Sequence, residues 1–168
     1  MISTKTPEEI RTARRRTRLD VGLIRIAALW PKDGMNLGTL IRTCDAIGAV
    51  LVVPDTAPAA KAVKRGNKIG DKHAPIERIR VDPIEWLASN RSERIVGVEL
   101  AHGSYPISEL SPAVSATIVV LGHEASGIPN EAWPHIGEAV EIPMRGIGTS
   151  LNVAVAGSLV AYKLAGLI

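Results

Sequence analysis

Phenylalanine occurs nowhere in the 168 residues, and tryptophan and tyrosine together number only five. So few rings largely exclude a surface that stacks single-stranded bases on aromatic platforms. They also leave the core to Val, Ile, Leu and Ala, the usual diet of a mostly parallel sheet. Cysteine is present once, at Cys44. That excludes a disulfide framework and fits a reducing, cytoplasmic setting. No apolar run is long enough to span a membrane. The stretch LIRIAALW behind a basic start imitates a secretion signal, but it is short, Arg25 interrupts it, and no small-residue cleavage site follows. His73, His102, His123 and His135 have no metal-ligand spacing, so no metal site is expected and each is read as incidental. A Walker phosphate loop and a Gly-x-Ser-x-Gly elbow are both missing. Gly146-Ile147-Gly148 begins a dinucleotide fingerprint, but Leu151 stands where its third glycine would be.

What is present is an uneven charge. The formal net charge is +3, yet residues 1–18 alone hold Lys5, Arg11, Arg14, Arg15, Arg16 and Arg18 against Glu8 and Glu9. The rest of the chain is close to neutral. A second basic cluster is Lys61, Lys64, Arg65, Lys68 and Lys72. Either cluster can be solvated surface. Either can also neutralise phosphates, the main source of affinity for nucleic acid.

Short apolar runs alternate with helical patterns along the chain. Leu23–Leu29, Ala49–Val53, Ile76–Val81, Arg94–Val98, Thr117–Leu121 and Ala139–Ile142 read as strands. Leu37–Ile47, Pro83–Ser89, Pro129–Ile136 and Val153–Leu167 read as helices, and Ala57–Lys68 as either a helix or a basic loop. The alternation predicts an α/β fold, a mostly parallel sheet with helices on both faces. Residues 19–168 form one domain in this reading, behind a basic arm at 1–18. Ligands in such sheets bind beyond the carboxyl ends of the strands. Four loops there collect the glycines and polar residues: WPKDGMNLG, ELAHGS, GHEASGIP and PMRGIGTSLN.

Three stretches could carry chemistry. In Asn36-Leu-Gly38-Thr-Leu-Ile-Arg42, Asn36 reads as a helix N-cap, Gly38 permits close approach, and Leu40 and Ile41 face the core. Arg42 is a permanent cation among apolar residues, either functional or snorkelling to water. In Leu121-Gly-His-Glu124-Ala-Ser-Gly127-Ile-Pro129, Glu124 could simply cap the next helix. In the third, a glycine-rich turn leads to Ser150 or Asn152 as N-cap, then a helix with the small residues Ala154, Ala156, Gly157, Ser158 and Ala161.

Taken together, Asn36-x-Gly38-x-x-x-Arg42, Leu121-Gly-x-Glu124-x-x-Gly127-Ile128-Pro129, and Ile142-Pro-Met144 with Ser150-Leu-Asn152-Val153 resemble the three motifs of the SPOUT superfamily of methyltransferases, in its SpoU (TrmH-like) branch. The resemblance runs from Leu23 onward and leaves out the arm. It implies a C-terminal trefoil knot, which pattern reading could not supply because knots are so rare. It implies an S-adenosylmethionine-dependent RNA methyltransferase that modifies a ribose 2′-hydroxyl and works as a homodimer. Carried over, Val98, Glu99, Leu100, Leu121, Gly122, Ile142, Met144, Ser150 and Leu151 would hold the cofactor. Arg42, Asn36, Glu124, Ser150 and Asn152 would serve catalysis. Arg11, Arg14, Arg15, Arg16, Arg18, Lys61, Lys64, Arg65 and Lys68 would contact RNA. GHEASGIP and GVEL look most like tRNA D-loop guanosine enzymes, whereas the short length looks like the wobble-position branch. An rRNA enzyme and a non-catalytic RNA-binding protein of the same fold are the alternatives, and a flavodoxin-type nucleotide binder is a third reading. The small face of the last helix is expected to pack on a close neighbour, the partner subunit.

Overall fold

The computed structural model describes residues 4–6, 8–9, 22–67 and 75–168. Most of the basic arm, including Arg11, Arg14, Arg15, Arg16 and Arg18, lies outside them, as do Lys68 and Lys72.

Seven strands form one sheet: β1 (Ile24–Ala28), β2 (Val50–Pro54), β3 (Ile76–Ile79), β4 (Arg94–Val98), β5 (Tyr105–Pro106), β6 (Thr117–Leu121) and β7 (Glu138–Glu141). Their order is β3-β2-β1-β6-β4-β7-β5, and every neighbouring pair is parallel. The helices are α1 (Gly34–Ile47), α2 (Ala57–Gly66), α3 (Pro83–Ser89) and α4 (Val153–Leu164).

Alternation of side chains along each strand builds two cores. Ile24, Ile26 and Ala28 of β1, Leu51 and Val53 of β2, and Val119 and Leu121 of β6 meet Leu37, Leu40 and Ile41 of α1 and Ala154, Val160, Ala161 and Leu164 of α4. Ala27, Val52, Ile118 and Val120 point the other way, to Trp86 and Leu87 of α3 and to Ile128 and Ala132. All of β6 is buried because it is covered on both faces. Cys44 sits in the first core, where burial pushes its thiol up to about 12, so it is packing rather than a nucleophile.

Two expected elements change, one strand was unread, and one open alternative is decided. Pro129–Ile136 is not an α-helix but a 3-10 segment, Asn130–His135, with Pro134 inside it. That proline has no N–H to give an α-helical turn. The two-residue edge strand β5 was too short to read, and its Pro106 suits an edge. Of the segment Ala57–Lys68, read as helix or basic loop, Ala57–Gly66 is helix α2, capped by the Thr56 side chain on Ala59 N, and Lys68 lies outside the described residues. Helix α4 stops at Leu164 rather than Leu167, and Gly166 follows with φ +66°.

The small face of α4 also finds a different neighbour. It packs within its own chain, not on a partner. Ala154, Gly157 and Ala161 are buried, and Ser158 hydrogen-bonds Thr43 of α1 at 2.6 Å. A Cβ on Gly157 would stand 2.7 Å from Leu121 Cδ1. Gly157→Leu should therefore lower the thermal midpoint of dilute protein by several degrees, since overpacking costs about 1–3 kcal/mol. Val114→Leu, at a fully solvated loop position, should leave it almost unchanged. Melting curves of the two variants check this.

Candidate active site

The chain leaves β1 toward one edge of the sheet and reaches β4, β6 and β7 on the other side. The crevice where this direction reverses is where an open α/β sheet binds ligands. A cleft of about 1520 Å³ opens there. All nine residues expected to hold a cofactor line it: Val98, Glu99 and Leu100 after β4, Leu121 and Gly122 after β6, and Ile142, Met144, Ser150 and Leu151 after β7.

One chain of hydrogen bonds joins the three motif loops. Both oxygens of Glu124 accept backbone N–H groups from the loop after β1, Asp33 N at 3.0 Å and Lys32 N at 3.1 Å. Glu124 Oε1 also accepts Asn36 Nδ2 at 2.9 Å. Asn36 Oδ1 accepts Asn152 Nδ2 at 2.9 Å. Asn152 Oδ1 then caps α4 by accepting Ala154 N at 2.9 Å and Val155 N at 3.3 Å. A carboxylate only accepts, so it sets the orientation of each amide in turn. Asn36 is only 9% exposed, and both ends of its amide are paired, as burial demands.

The expected N-cap role of Asn36 is thus overturned. Asp33 caps α1 instead, accepting Met35 N at 2.8 Å. The helix starts three residues before the expected Leu37, so Asn36 lies inside its first turn and points to the interior. The alternative for Glu124, capping the helix that follows it, fails as well. Its partners, Lys32, Asp33 and Asn36, lie just before and in the first turn of α1, some 90 residues earlier.

A second set of contacts shapes the turn after β6. His123 and Gly127 exchange two backbone hydrogen bonds of 2.9 Å. Gly127 has φ +70°, and a Cβ there would collide with Glu99 Oε2. Glu99 accepts Ile128 N at 3.2 Å and Leu100 N at 3.2 Å, tying the loop after β4 to this turn. His123 Nδ1 accepts Ala125 N at 3.1 Å. His123, His102, Trp133 and Glu141 also line the cleft. The sequence had marked the histidines as incidental, and nothing in composition singled out Glu141 or Trp133.

Arg42 stands apart. It is exposed on α1 and does not line the cleft. Lys61, Lys64 and Arg65 are exposed on α2, also outside it. The structure therefore brings together Asn36, Glu124, Ser150 and Asn152 around the cleft mouth and leaves the cations elsewhere.

Burial works against the charge on Glu124, but hydrogen bonds from Asn36 and from nearby backbone N–H groups, Asp33 and Lys32 among them, outweigh it and lower its pKa. A lowered folded pKa adds stability above the unfolded value and loses it as pH falls through the folded one. Glu124→Gln should place an amide against two N–H donors. It should lower the thermal midpoint at pH 7 and flatten its decline below about pH 4.3. Melting curves from pH 3 to 7 check this.

The model of the SpoU rRNA Methylase family matches residues 24–162. The chain is 31% identical over 136 residues to the tRNA (guanosine(18)-2′-O)-methyltransferase of Aquifex aeolicus, covering 79% of this chain and 64% of that one. It is 30% identical over 138 residues to the 23S rRNA (guanosine(2553)-2′-O)-methyltransferase RlmP of Bacillus subtilis, covering 80% of this chain and 55% of that one. It thus spans under two thirds of the length of these curated relatives. Its fold is like that of the AdoMet-bound rRNA methyltransferase of Sinorhizobium meliloti, with a TM-score of 0.73 and 24% identity over 95% of this chain and 69% of that one. With the profile covering most of the domain and the three motif loops joined at one cleft, the chain belongs to the SpoU rRNA methylase family.

Proposed function

We propose that this chain is an S-adenosylmethionine-dependent methyltransferase acting on a ribose 2′-hydroxyl in RNA. The observation that carries the reading is the chain from Glu124 through Asn36 to Asn152, which locks three motif loops at the mouth of one cleft. The same reading gives the C-terminal part of the domain a trefoil knot.

The cleft residues fit the cofactor. Leu100 is 72% exposed, and Met144 and Leu151 are exposed too. Solvated apolar side chains gathered at one cleft suit an adenosyl group. Loop backbone at Gly122, Gly146 and Gly148, with the carboxylates of Glu99 and Glu141, offers donors and acceptors for the polar remainder. Val98, Glu99, Leu100, Leu121, Gly122, Ile142, Met144, Ser150 and Leu151 would hold it. When bound, S-adenosylmethionine supplies a methyl group on a sulfonium, a good leaving group. What remains for the protein is to position and to stabilise charge.

Asn36, Glu124 and Asn152 keep the loops in place, and the exposed Ser150 is available to the ribose. Arg42 is the electrostatic partner. Its guanidinium, with a pKa above about 12, is a poor base. It orients the target phosphate and stabilises the oxygen that loses its proton. Since Arg42 lies off its own cleft, it acts in a homodimer, at the neighbour's cleft. Met35 of α1 and Val155 and Leu159 of α4 are exposed apolar residues on the helix pair that carries it. They suit a subunit contact.

The favoured substrate is a tRNA guanosine in the D-loop, on the wording of the motifs and the likeness to the Aquifex aeolicus enzyme. The likeness to RlmP keeps rRNA as the second reading. An enzyme acting on either would work in the cytoplasm. Among the described residues no helix is long and apolar enough to cross a membrane. The deciding experiment incubates the protein with total RNA and labelled cofactor and maps the methylated ribose. A 2′-O-methylguanosine in the tRNA D-loop is expected. Cofactor binding without transfer to any RNA would overturn the enzymatic reading.

Arg42→Ala should reduce methyl transfer by at least about 100-fold while calorimetry still detects cofactor binding. Near-normal turnover would remove Arg42 from the mechanism. Deleting residues 1–18, proposed as an arm separate from the single domain at 19–168, should weaken tRNA binding and make it less sensitive to salt. Filter binding at several salt concentrations measures it.

A further inference from the structure

The cations divide into two groups. One group is spent inside the protein. Arg25 holds Asn90 at 2.7 Å, Glu93 at 2.5 Å and Glu77 at 3.3 Å, and lies 5.1 Å from the Trp86 ring centroid. Arg94 holds Glu138 at 2.6 Å, and Arg80 holds Asp55 at 3.0 Å. Arg25 and Arg94 sit near the amino ends of β1 and β4, away from the cleft.

The other group has no anion among the described residues. Lys61, Lys64 and Arg65 are all exposed on α2. Spacings of three and four place them on one face. Helix α2 reads APAAKAVKRG and contains no acidic residue. Three like charges at these spacings repel one another, so the face is costly to the protein alone and suited to an external polyanion. It carries no aromatic side chain, which fits contact with phosphates rather than stacking on bases.

The opposite side of α2 is fixed with unusual closeness. A Cβ on Gly34 would stand 3.1 Å from Ala62 Cα, and one on Gly38 would stand 2.7 Å from Gly66 Cα. A Cβ on Gly66 would stand 2.6 Å from Gly34 O and Gly38 N. Gly34-x-x-x-Gly38 of α1 and Ala62-x-x-x-Gly66 of α2 thus form a seam where the two backbones touch. Asn36 lies between the two α1 glycines and belongs to the chain of hydrogen bonds at the cleft mouth. No flexible connection separates the basic face from the site.

We propose that α2 is a platform for RNA backbone phosphates, held in fixed register to the active site by this glycine seam. It grips the strand flanking the target nucleotide through Lys61, Lys64 and Arg65. The register it supplies rests on the methyltransferase reading of the cleft, but phosphate contact can be measured without methyl transfer.

The test uses the full chain, unfractionated tRNA and the variant Lys61→Ala/Lys64→Ala/Arg65→Ala. Filter binding should show an affinity loss of about 10-fold or more at moderate salt. The slope of log affinity against log salt should shrink by about 2, since each lost phosphate contact removes ~0.7–0.9. Calorimetry should show unchanged S-adenosylmethionine affinity. An unchanged RNA affinity and salt slope would overturn the platform. Failure of the unmodified protein to bind S-adenosylmethionine would instead overturn the reading of the cleft. Gly66→Ala tests the seam with every charge retained: the salt slope should persist while kcat/KM for tRNA falls about 10-fold or more. Gly34→Ala, with its milder 3.1 Å contact, serves the same purpose if Gly66→Ala does not fold. Full turnover from a folded seam variant would overturn the positioning role.

Discussion

Everything at the cleft mouth depends on the carboxylate of Glu124. It is the acceptor-only end of a directed chain, and so it sets the orientation of Asn36 and, through it, of Asn152. The chain crosses from the loop after β6 to α1 and then to the cap of α4. Residues some 90 and 116 positions apart are joined by three side chains. Removing Glu124 or Asn152 would leave one end of the buried Asn36 amide unpaired, which costs about 1–3 kcal/mol. The site is therefore a structural joint before it is anything chemical.

The sheet supplies what the joint needs. Strand β6 is buried on both faces, and its last residue, Leu121, meets Gly157 of α4 while also lining the cleft. The side chain that seats the C-terminal helix is thus also part of the ligand wall. Thr43 and Ser158 fasten α1 to α4, and the glycine seam fastens α1 to α2. Helix α1 is the shared member of both pairs, and it carries Asn36 and Arg42.

Much of this was legible from residue order. Arg94–Val98 and Thr117–Leu121 were found to the residue, because buried parallel strands read as unbroken apolar runs between turn signals. The residues that line the cleft were legible through motifs whose loops share one end of the sheet. What escaped depends on geometry that spacing does not encode. Asn36 resembles a cap by residue type, but Asp33 stands three residues earlier and takes the position. Tyr105–Pro106 is too short for any periodicity, though Tyr105 bonds Glu138 across the edge. The small face of α4 signalled close approach correctly, but the neighbour is Leu121 and Thr43 of the same chain rather than the expected partner subunit. Arg42 belongs to the first motif by spacing, yet helix rotation turns it outward while Asn36 turns in.

The engagement of Glu124 restricts the chemistry in a further way. Among the carboxylates at the mouth, it is the one tied to all three motif loops. Its oxygens are occupied by Lys32 N, Asp33 N and Asn36 Nδ2, and its pKa is held below the ordinary carboxylate range. A group so stabilised as an anion has little appetite for a proton at neutral pH. The two amides linked to it carry no exchangeable charge either, so the chain is no proton wire. In the proposed reaction, a hydroxyl nucleophile at this mouth would have to pass its proton to something the joint does not own.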